Sequence, residues 1–317
     1  MAQVLGYKSR LVMDFESTFG LDPAVPAGLV MPVNTFSLKS KRAKNSAQTI
    51  TGTRNPVKPF DGNLQDGGEG VVPVDAVCFG YWLKAMFGNP TTTGVGPYVH
   101  EFKVGDLMPS QVMEIRYADV SSVIAYAKHN GCKIASFAMT VGGDGELVAT
   151  IRIEASKETI SATVYDATPT TLSLSRFSNY QAVLQEAGAP IQKITEMDFS
   201  IDFGLDTELY TIGDGGTRGE IPEGILAVTG NITALFQNTT LLQKAIDSTE
   251  TSLVLTFTAG TNTLQFAFNE LQFERNTPGI EGPKGVKITL PFVAYMDDHA
   301  SASVVVATLT NSVASYA

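Results

Sequence analysis

The chain has 317 residues, 44% hydrophobic and 17% charged, enough for two domains of ordinary size and too apolar for global disorder. A net charge of −10 repels nucleic-acid phosphates and argues against tight DNA or RNA binding, although solubility alone would also account for it. No apolar run approaches the ~20 residues that span a bilayer, and Met1–Ser9 lacks an apolar signal core, so synthesis and folding in a cytoplasm are expected.

The charge is unevenly placed. Residues 1–160 hold 15 Lys+Arg and 15 Asp+Glu, while 161–317 hold 7 and 17, so the second half carries the whole net charge. Gly and the β-formers Val, Ile, Thr, Phe and Tyr are plentiful, which predicts a mainly β protein. Cys78 and Cys132 are the only cysteines. They lack metal-like or redox-like spacing and are expected to be buried free thiols.

Taken in order, residues 1–32 read as an arm, with Leu11-Val12-Met13 as a possible short strand. Pro23, Pro26, Gly28 and Pro32 break the rest. Residues 33–39 read as a strand. Ser40–Gly70 is polar and rich in Gly, Asn, Asp and Lys, and reads as a long loop. Asp75 can cap a helix over 76–87, with Phe79, Leu83 and Met86 on one face and Trp82 beside them. Ile124–Lys128 and Cys132–Val141 flank His129-Asn130-Gly131, a hairpin signal because Asn and Gly tolerate positive φ. Gly142-Gly143-Asp144-Gly145 makes the next turn, and Leu147, Ala149, Ile151 and Ile153 alternate inward after it. Residues 158–190 form a connection, with a helical turn expected around Tyr180–Glu186.

In the second half, Glu196–Phe203 shows the clearest alternation. Met197, Phe199, Ile201 and Phe203 take one face, and Glu196, Asp198, Ser200 and Asp202 the other. A loop over 205–222 follows. Asn238 or Thr239 can cap a helix containing Leu242, Ala245 and Ile246. Strands are expected at 252–258, 264–274, 286–295 and 303–309.

Four short signatures recur in order. Phe36-Ser37-Leu38-Lys39 returns as Phe199-Ser200-Ile201-Asp202, and Gly52-Thr53-Arg54 as Gly216-Thr217-Arg218. Lys84-Ala85 returns as Lys244-Ala245, and Gly131-Cys132-Lys133-Ile134 as Gly285-Val286-Lys287-Ile288. The offset stays near 160 residues, which points to a duplicated domain, divided as 1–190 and 191–317. Internal duplication of a β domain can stand in for extra subunits of a symmetric assembly.

Catalytic groupings are sparse. Asp297-Asp298-His299 could bind a metal or act as an acid/base pair, or be a solvated turn. Adjacent residues rarely aim three ligands at one point, and no HExxH partner exists. Gly142–Glu146 lacks phosphate-loop spacing, and no GxSxG is present. The sequence thus predicts no enzyme, no cofactor and no metal. The basic run Lys39, Lys41, Arg42 and Lys44 reads as a nucleic-acid patch, a solvated loop, or a contact to an acidic neighbouring subunit. The carboxylates of 196–202 read either as a solvent face or as a surface that must not hold a polyanion.

The chain resembles the tail-tube (major tail) proteins of long-tailed bacteriophages with two tube domains per chain. The resemblance covers most of residues 6–310. It rests on Glu16-Ser17-Thr18-Phe19-Gly20, on Phe79-Gly80-Tyr81-Trp82-Leu83-Lys84 followed by Gly88-Asn89-Pro90, and on Gly96-Pro97-Tyr98-Val99-His100. Gly131-Cys132-Lys133, Gly142–Leu147 and the Gly285–Tyr295 strand also fit. It implies two tandem β-sandwich/barrel domains, each with a flanking helix and a long loop, whose strands join those of neighbours into an inner barrel. It further implies rings of three chains with pseudo-six-fold symmetry, stacked head to tail. Partners would be the tape measure, distal-tail and terminator proteins, with non-specific passage of DNA and no membrane. On that basis Glu196, Asp198 and Asp202 are expected to face the lumen. Lys41, Arg42, Lys44, Asp214 and Arg218 are expected at contacts between rings. A distal-tail, baseplate or capsid-decoration protein is the alternative, but the aromatics follow strand and helix periodicity rather than clustering on loops.

Overall fold

A computed structural model describes residues 3–118, 124–191, 193–280 and 282–316. Among these, strands dominate. The first half holds β1 (Arg10–Phe15), β2 (Leu29–Met31), β3 (Thr35–Phe36), β4 (Lys39–Asn45), β5 (Phe60–Pro73), helix α1 (Phe79–Phe87), β6 (Thr91–Thr93), β7 (Tyr98–Lys103), β8 (Gln111–Ala118), β9 (Ile124–Gly142), β10 (Val148–Ala155), β11 (Lys157–Ser161), β12 (Thr170–Thr171), β13 (Ala182–Glu186) and β14 (Ala189–Pro190). The second half holds β15 (Ile194–Asp202), β16 (Ala227–Leu235), helix α2 (Thr240–Ile246), β17 (Thr251–Ala259), β18 (Asn262–Phe273), β19 (Lys287–Tyr295) and β20 (Val306–Asn311).

The strand pairing repeats itself. In the first half β8 pairs with β1 and β9, β9 with β10 and β11, and β5 with β4 and β10. In the second half β17 pairs with β13 and β18, β18 with β19 and β20, and β16 with β15 and β19. Every one of these pairings is antiparallel, and the order along the chain is the same. Each helix lies between the corresponding strands. The registers agree as well: Phe36 faces Gly70 and Gly70 faces Ile151, which faces Phe137. Phe199 faces Gly230 and Gly230 faces Phe292, which faces Phe273. Three of the four sequence signatures fall on matching elements. The fourth does not: Gly131 lies inside β9, whereas residues 285–288 open β19, whose counterpart by pairing is β10.

The two halves share a sheet and a core. β15 pairs with the C-terminal part of β9, and β20 with β7. One apolar cluster runs through both, with Phe137 5.7 Å from Phe199 and Phe199 5.2 Å from Phe266 between ring centres. α1 is enclosed rather than laid on one side. Phe79, Trp82, Leu83, Met86 and Phe87 are all buried, and Phe79 and Phe87 reach Phe137 and Phe203. The helix begins at Phe79, three residues later than the spacing predicts. Asp75 instead caps the turn before it, accepting from Val77 and Cys78 N–H at 2.7 Å. Both cysteines are buried and free.

Four local expectations are corrected. Residues 10–31 are not a free arm, because β1 is inserted between β2 and β8 with Leu11, Val12 and Met13 buried. The stretch 40–70 is not a loop but a ribbon of β4 on β5, with only 46–59 as its connection. Its two faces are mostly exposed, so it needs no alternating apolar pattern. His129-Asn130-Gly131 makes no hairpin: β9 continues for 19 residues. Gly131 takes φ +62°, with Phe19 and Ser156 at 2.7 and 2.9 Å from where a Cβ would sit. Asn130 and the Gly131 N–H are held by Glu16, and Asn130 also by Asp22. The positive φ is thus used as a kink that passes the strand from one set of partners to another. Finally, 182–186 is a strand, with a single 3-10 turn at Asn179–Gln181 before it.

Candidate assembly and channel surface

β5, β10, the C-terminal part of β9, β15, β16 and β19 lie side by side, with β3 and β4 along the outer edge of β5. One face of this sheet covers the core. The other is open, and its side chains are mostly small and polar. One row across it reads Thr35, Val71, Thr150, Ala138, Ser200, Thr229 and Val293. Hydroxyl pairs bridge neighbouring strands, Ser200 to Thr229 at 3.2 Å and Thr233 to Thr289 at 3.0 Å.

The three expected carboxylates lie on this open face. Met197, Phe199, Ile201 and Phe203 are buried behind it, while Glu196 and Asp202 are exposed and Asp198 half-buried. Asn231 donates to Asp198 at 3.0 Å, and the Gly204 N–H to Asp202 at 2.9 Å. These contacts offset part of the repulsion within the carboxylate row. The first half of the face adds Arg152, which faces Glu69 across the strand pair and donates to Glu154 at 3.0 Å. Its charge is therefore held between carboxylates. An open cleft of about 520 Å³ beside it is lined by Lys39, Lys41, Glu69, Arg152, Glu208 and Arg218. With both signs present, the cleft suits neither a simple anion nor a cation.

The basic ribbon and the 205–222 loop meet. Arg42 donates to the Gly215 carbonyl at 2.8 Å, the Leu64 N–H to Gly216 at 2.7 Å, and Tyr210 to the Leu64 carbonyl at 3.2 Å. Lys44 pairs with Asp61 within the ribbon. Lys41 and Asp214 are exposed. Arg218 is different: at 5% exposure it donates to the carbonyls of Thr207, Asp66 and Ala155 and pairs with Glu154 at 3.1 Å. Its side chain is occupied inside the chain, clamping the loop to β5 and β10.

Other polar anchors gave no sequence signal, because their partners are distant in the chain. Buried Lys133 donates to the Ile221 carbonyl at 2.9 Å and to Glu223 at 2.6 Å. Burial works to raise the Glu223 pKa, but Lys133 and the Met108 N–H outweigh it and hold it low. Asp297-Asp298-His299 is a turn, and its backbone is its role. The three successive N–H groups donate to Glu270 at 2.7, 3.0 and 3.0 Å. The Asp297 N–H, helped by the other two, lowers the Glu270 pKa below its ordinary value. His129 and Asp66 form a buried pair at 2.9 Å. His100 is fixed between Thr92 and the Val313 carbonyl, and burial lowers its pKa.

Among the described residues no three His, Cys, Asp or Glu side chains gather to hold a metal, and no helix is long and apolar enough to cross a membrane. What the molecule offers is a wide polar sheet face, open strand edges and loops tied to each other. These define a mainly β structural protein. The chain belongs to the phage tail tube protein family, whose model matches residues 6–294. It is a structural component of the phage tail. No curated protein matches it significantly.

Proposed function

We propose that copies of this chain close into rings, three chains to a ring with pseudo-six-fold symmetry, and that the rings stack head to tail into the hollow tube that conducts DNA during ejection. Segments 1–190 and 191–317 act as two tube domains. The repeated pairing order and the matched Phe/Gly registers support two such domains, with β13 of the connecting segment supplying the second domain's counterpart of β1. The observation that carries the reading is the open polar face, which bears Glu196, Asp198 and Asp202; in the proposed tube this face lines the lumen. DNA carries about one charge per 1.7 Å of axis, so a basic wall would hold it through counterion release, whereas a hydroxyl-rich, acidic wall lets it slide. The chain performs no catalysis in this role. Its partners are its own copies and the tail proteins that set tube length and cap its ends.

The ribbon and the 205–222 loop bridge stacked rings. Lys41, Lys44 and Asp214 make the contacts, and Arg42 and Arg218 hold the loops in place from within the chain. Ile50 and Ile212 support this assignment. They lie in the two loops that carry the Gly-Thr-Arg signatures, two residues before Gly52 and four before Gly216, and both are fully solvent-exposed, at 96% and 107%. Exposed apolar side chains in the two corresponding loops suit a neighbouring ring.

Negative-stain electron microscopy of concentrated protein, with its solution mass, tests the proposal. Hollow tubes with a three-fold ring average are expected. Closed oligomers that never stack would replace the tube with a distal-tail or decoration role.

A further inference from the structure

The junction between the two halves is a template for the junction between chains. β10 and β11 follow each other along one edge of β9, so β8 and β15 share the opposite edge. β15, the first strand of the second half, fills that edge over residues 136–142. In the second half, β19 and β20 run along one edge of β18, and β17 covers the other only as far as Leu271. Beyond it, Gln272 and Glu274–Thr277 are exposed. The segment still follows β19, through the Glu274 N–H to the Pro291 carbonyl at 2.8 Å and Asn276 to the Thr289 carbonyl at 2.9 Å. Its other edge has no strand among the described residues. The counterpart of β15 is β3–β4, which among the described residues pairs with β5 alone. Among the described residues the chain thus leaves these two edges open, each equivalent to one side of a junction it already contains.

We propose that residues 35–39 of one copy add as an antiparallel strand to residues 272–276 of the next, repeating the β15–β9 pairing. The inference rests on the ring reading above and names its chain-to-chain contact. The register follows from the matched Phe/Gly rows. Phe137 corresponds to Phe273, and Ile201, which faces Phe137, corresponds to Leu38. Both Leu38 and Phe273 are buried, at 2% and 4%, so Leu38 faces Phe273 and the inward side stays apolar. Ser37 then faces Glu274, Lys39 faces Gln272 and Thr35 faces Asn276. Lys39 and Glu274 become diagonal neighbours of opposite charge on the open side, a spacing at which long side chains interact. The basic ribbon of the balanced half thereby meets the acidic half of its neighbour. Because the two edges differ, the contact is head to tail, and its repetition makes a ring. Pairing also removes two open edges.

Cysteine pairing tests the register. Ser37→Cys with Glu274→Cys places two exposed thiols directly opposite each other, within the 4.4–6.8 Å Cα separation a disulfide needs. Cys78 and Cys132 are buried and do not compete. Oxidised assemblies of the double variant are expected to run as covalent dimers and trimers on a non-reducing gel, with each single variant giving none. The control, Ser37→Cys with Gln265→Cys, is expected to stay monomeric. Independently, Lys39→Glu is expected to reduce assembly at least tenfold by sedimentation, with Glu274→Lys in the same chain restoring it. Rings or tubes without the crosslink and without charge-swap rescue would overturn this pairing and leave the tube reading standing. Absence of any oligomer would overturn both.

Discussion

At the scale of single residues, the structure turns on side chains that fill or tie otherwise empty positions. Tyr316 reaches back to the start of α1, where its ring occupies the space a Cβ on Gly80 would need and its hydroxyl donates to the Val77 carbonyl at 2.7 Å. Gly80→Ala is expected to push this ring out and lower stability by about 1–3 kcal/mol, the usual cost of overpacking; thermal melting checks it, and an unchanged Tm would contradict the packing. Glu270 gives a pH dependence. Its pKa is lowered in the fold by three N–H groups, so its contribution is complete above the ordinary value of 4.5 and is lost as the pH falls below that through the lowered value. Glu270→Gln is therefore expected to flatten part of the acid-side loss of Tm, read by melting from pH 7 to pH 3.

At the scale of elements, β9 and the β4–β5 ribbon matter most. A Cβ at Gly131 would force a left-handed φ on an L-residue and crowd Phe19 and Ser156. Gly131→Ala is expected to destabilise the protein by about 1–3 kcal/mol, measured by urea unfolding. The ribbon is held to the 205–222 loop by Arg42 and, beneath it, by Arg218. Arg218→Ala leaves Glu154 with Arg152 as its remaining cation and removes the Arg218 donors from three carbonyls, and should cost about 1–3 kcal/mol by urea unfolding. Ile50→Asp with Ile212→Asp leaves the fold intact, since both side chains are in solvent, and is expected to stop rings from stacking; electron microscopy distinguishes single rings from tubes.

At the scale of the whole molecule, the proposed role in DNA passage turns on the charge of the open face. Replacing Glu196, Asp198 and Asp202 together by Lys reverses three charges on the face assigned to the lumen. Tube assembly is expected to persist, because none of the three is buried in the core, while DNA ejection from assembled particles slows. Ejection kinetics equal to wild type would remove these residues from the channel wall.

Much of this was legible in the sequence. The alternation of 196–203 fixes which side of β15 is buried, because a strand with one wet face must alternate. The apolar spacing of Phe79, Leu83 and Met86 marks α1, and the strands of the second half follow their β-branched and aromatic runs. Asn130-Gly131 was misleading because positive φ serves a bulge as well as a turn, and only the neighbours Glu16, Asp22 and Phe19 decide which. The ribbon was hidden because a strand pair with both faces wet has no apolar period.

By itself, then, the sequence determined a mainly β chain with an acidic second half, since composition and local periodicity carry those properties. Only the tertiary structure decided that the two halves share one sheet through β9 and β15, that Arg218, Lys133 and Glu270 are internal anchors, and which strand edges stay open. Each depends on pairings between residues tens to hundreds of positions apart, which no local pattern encodes.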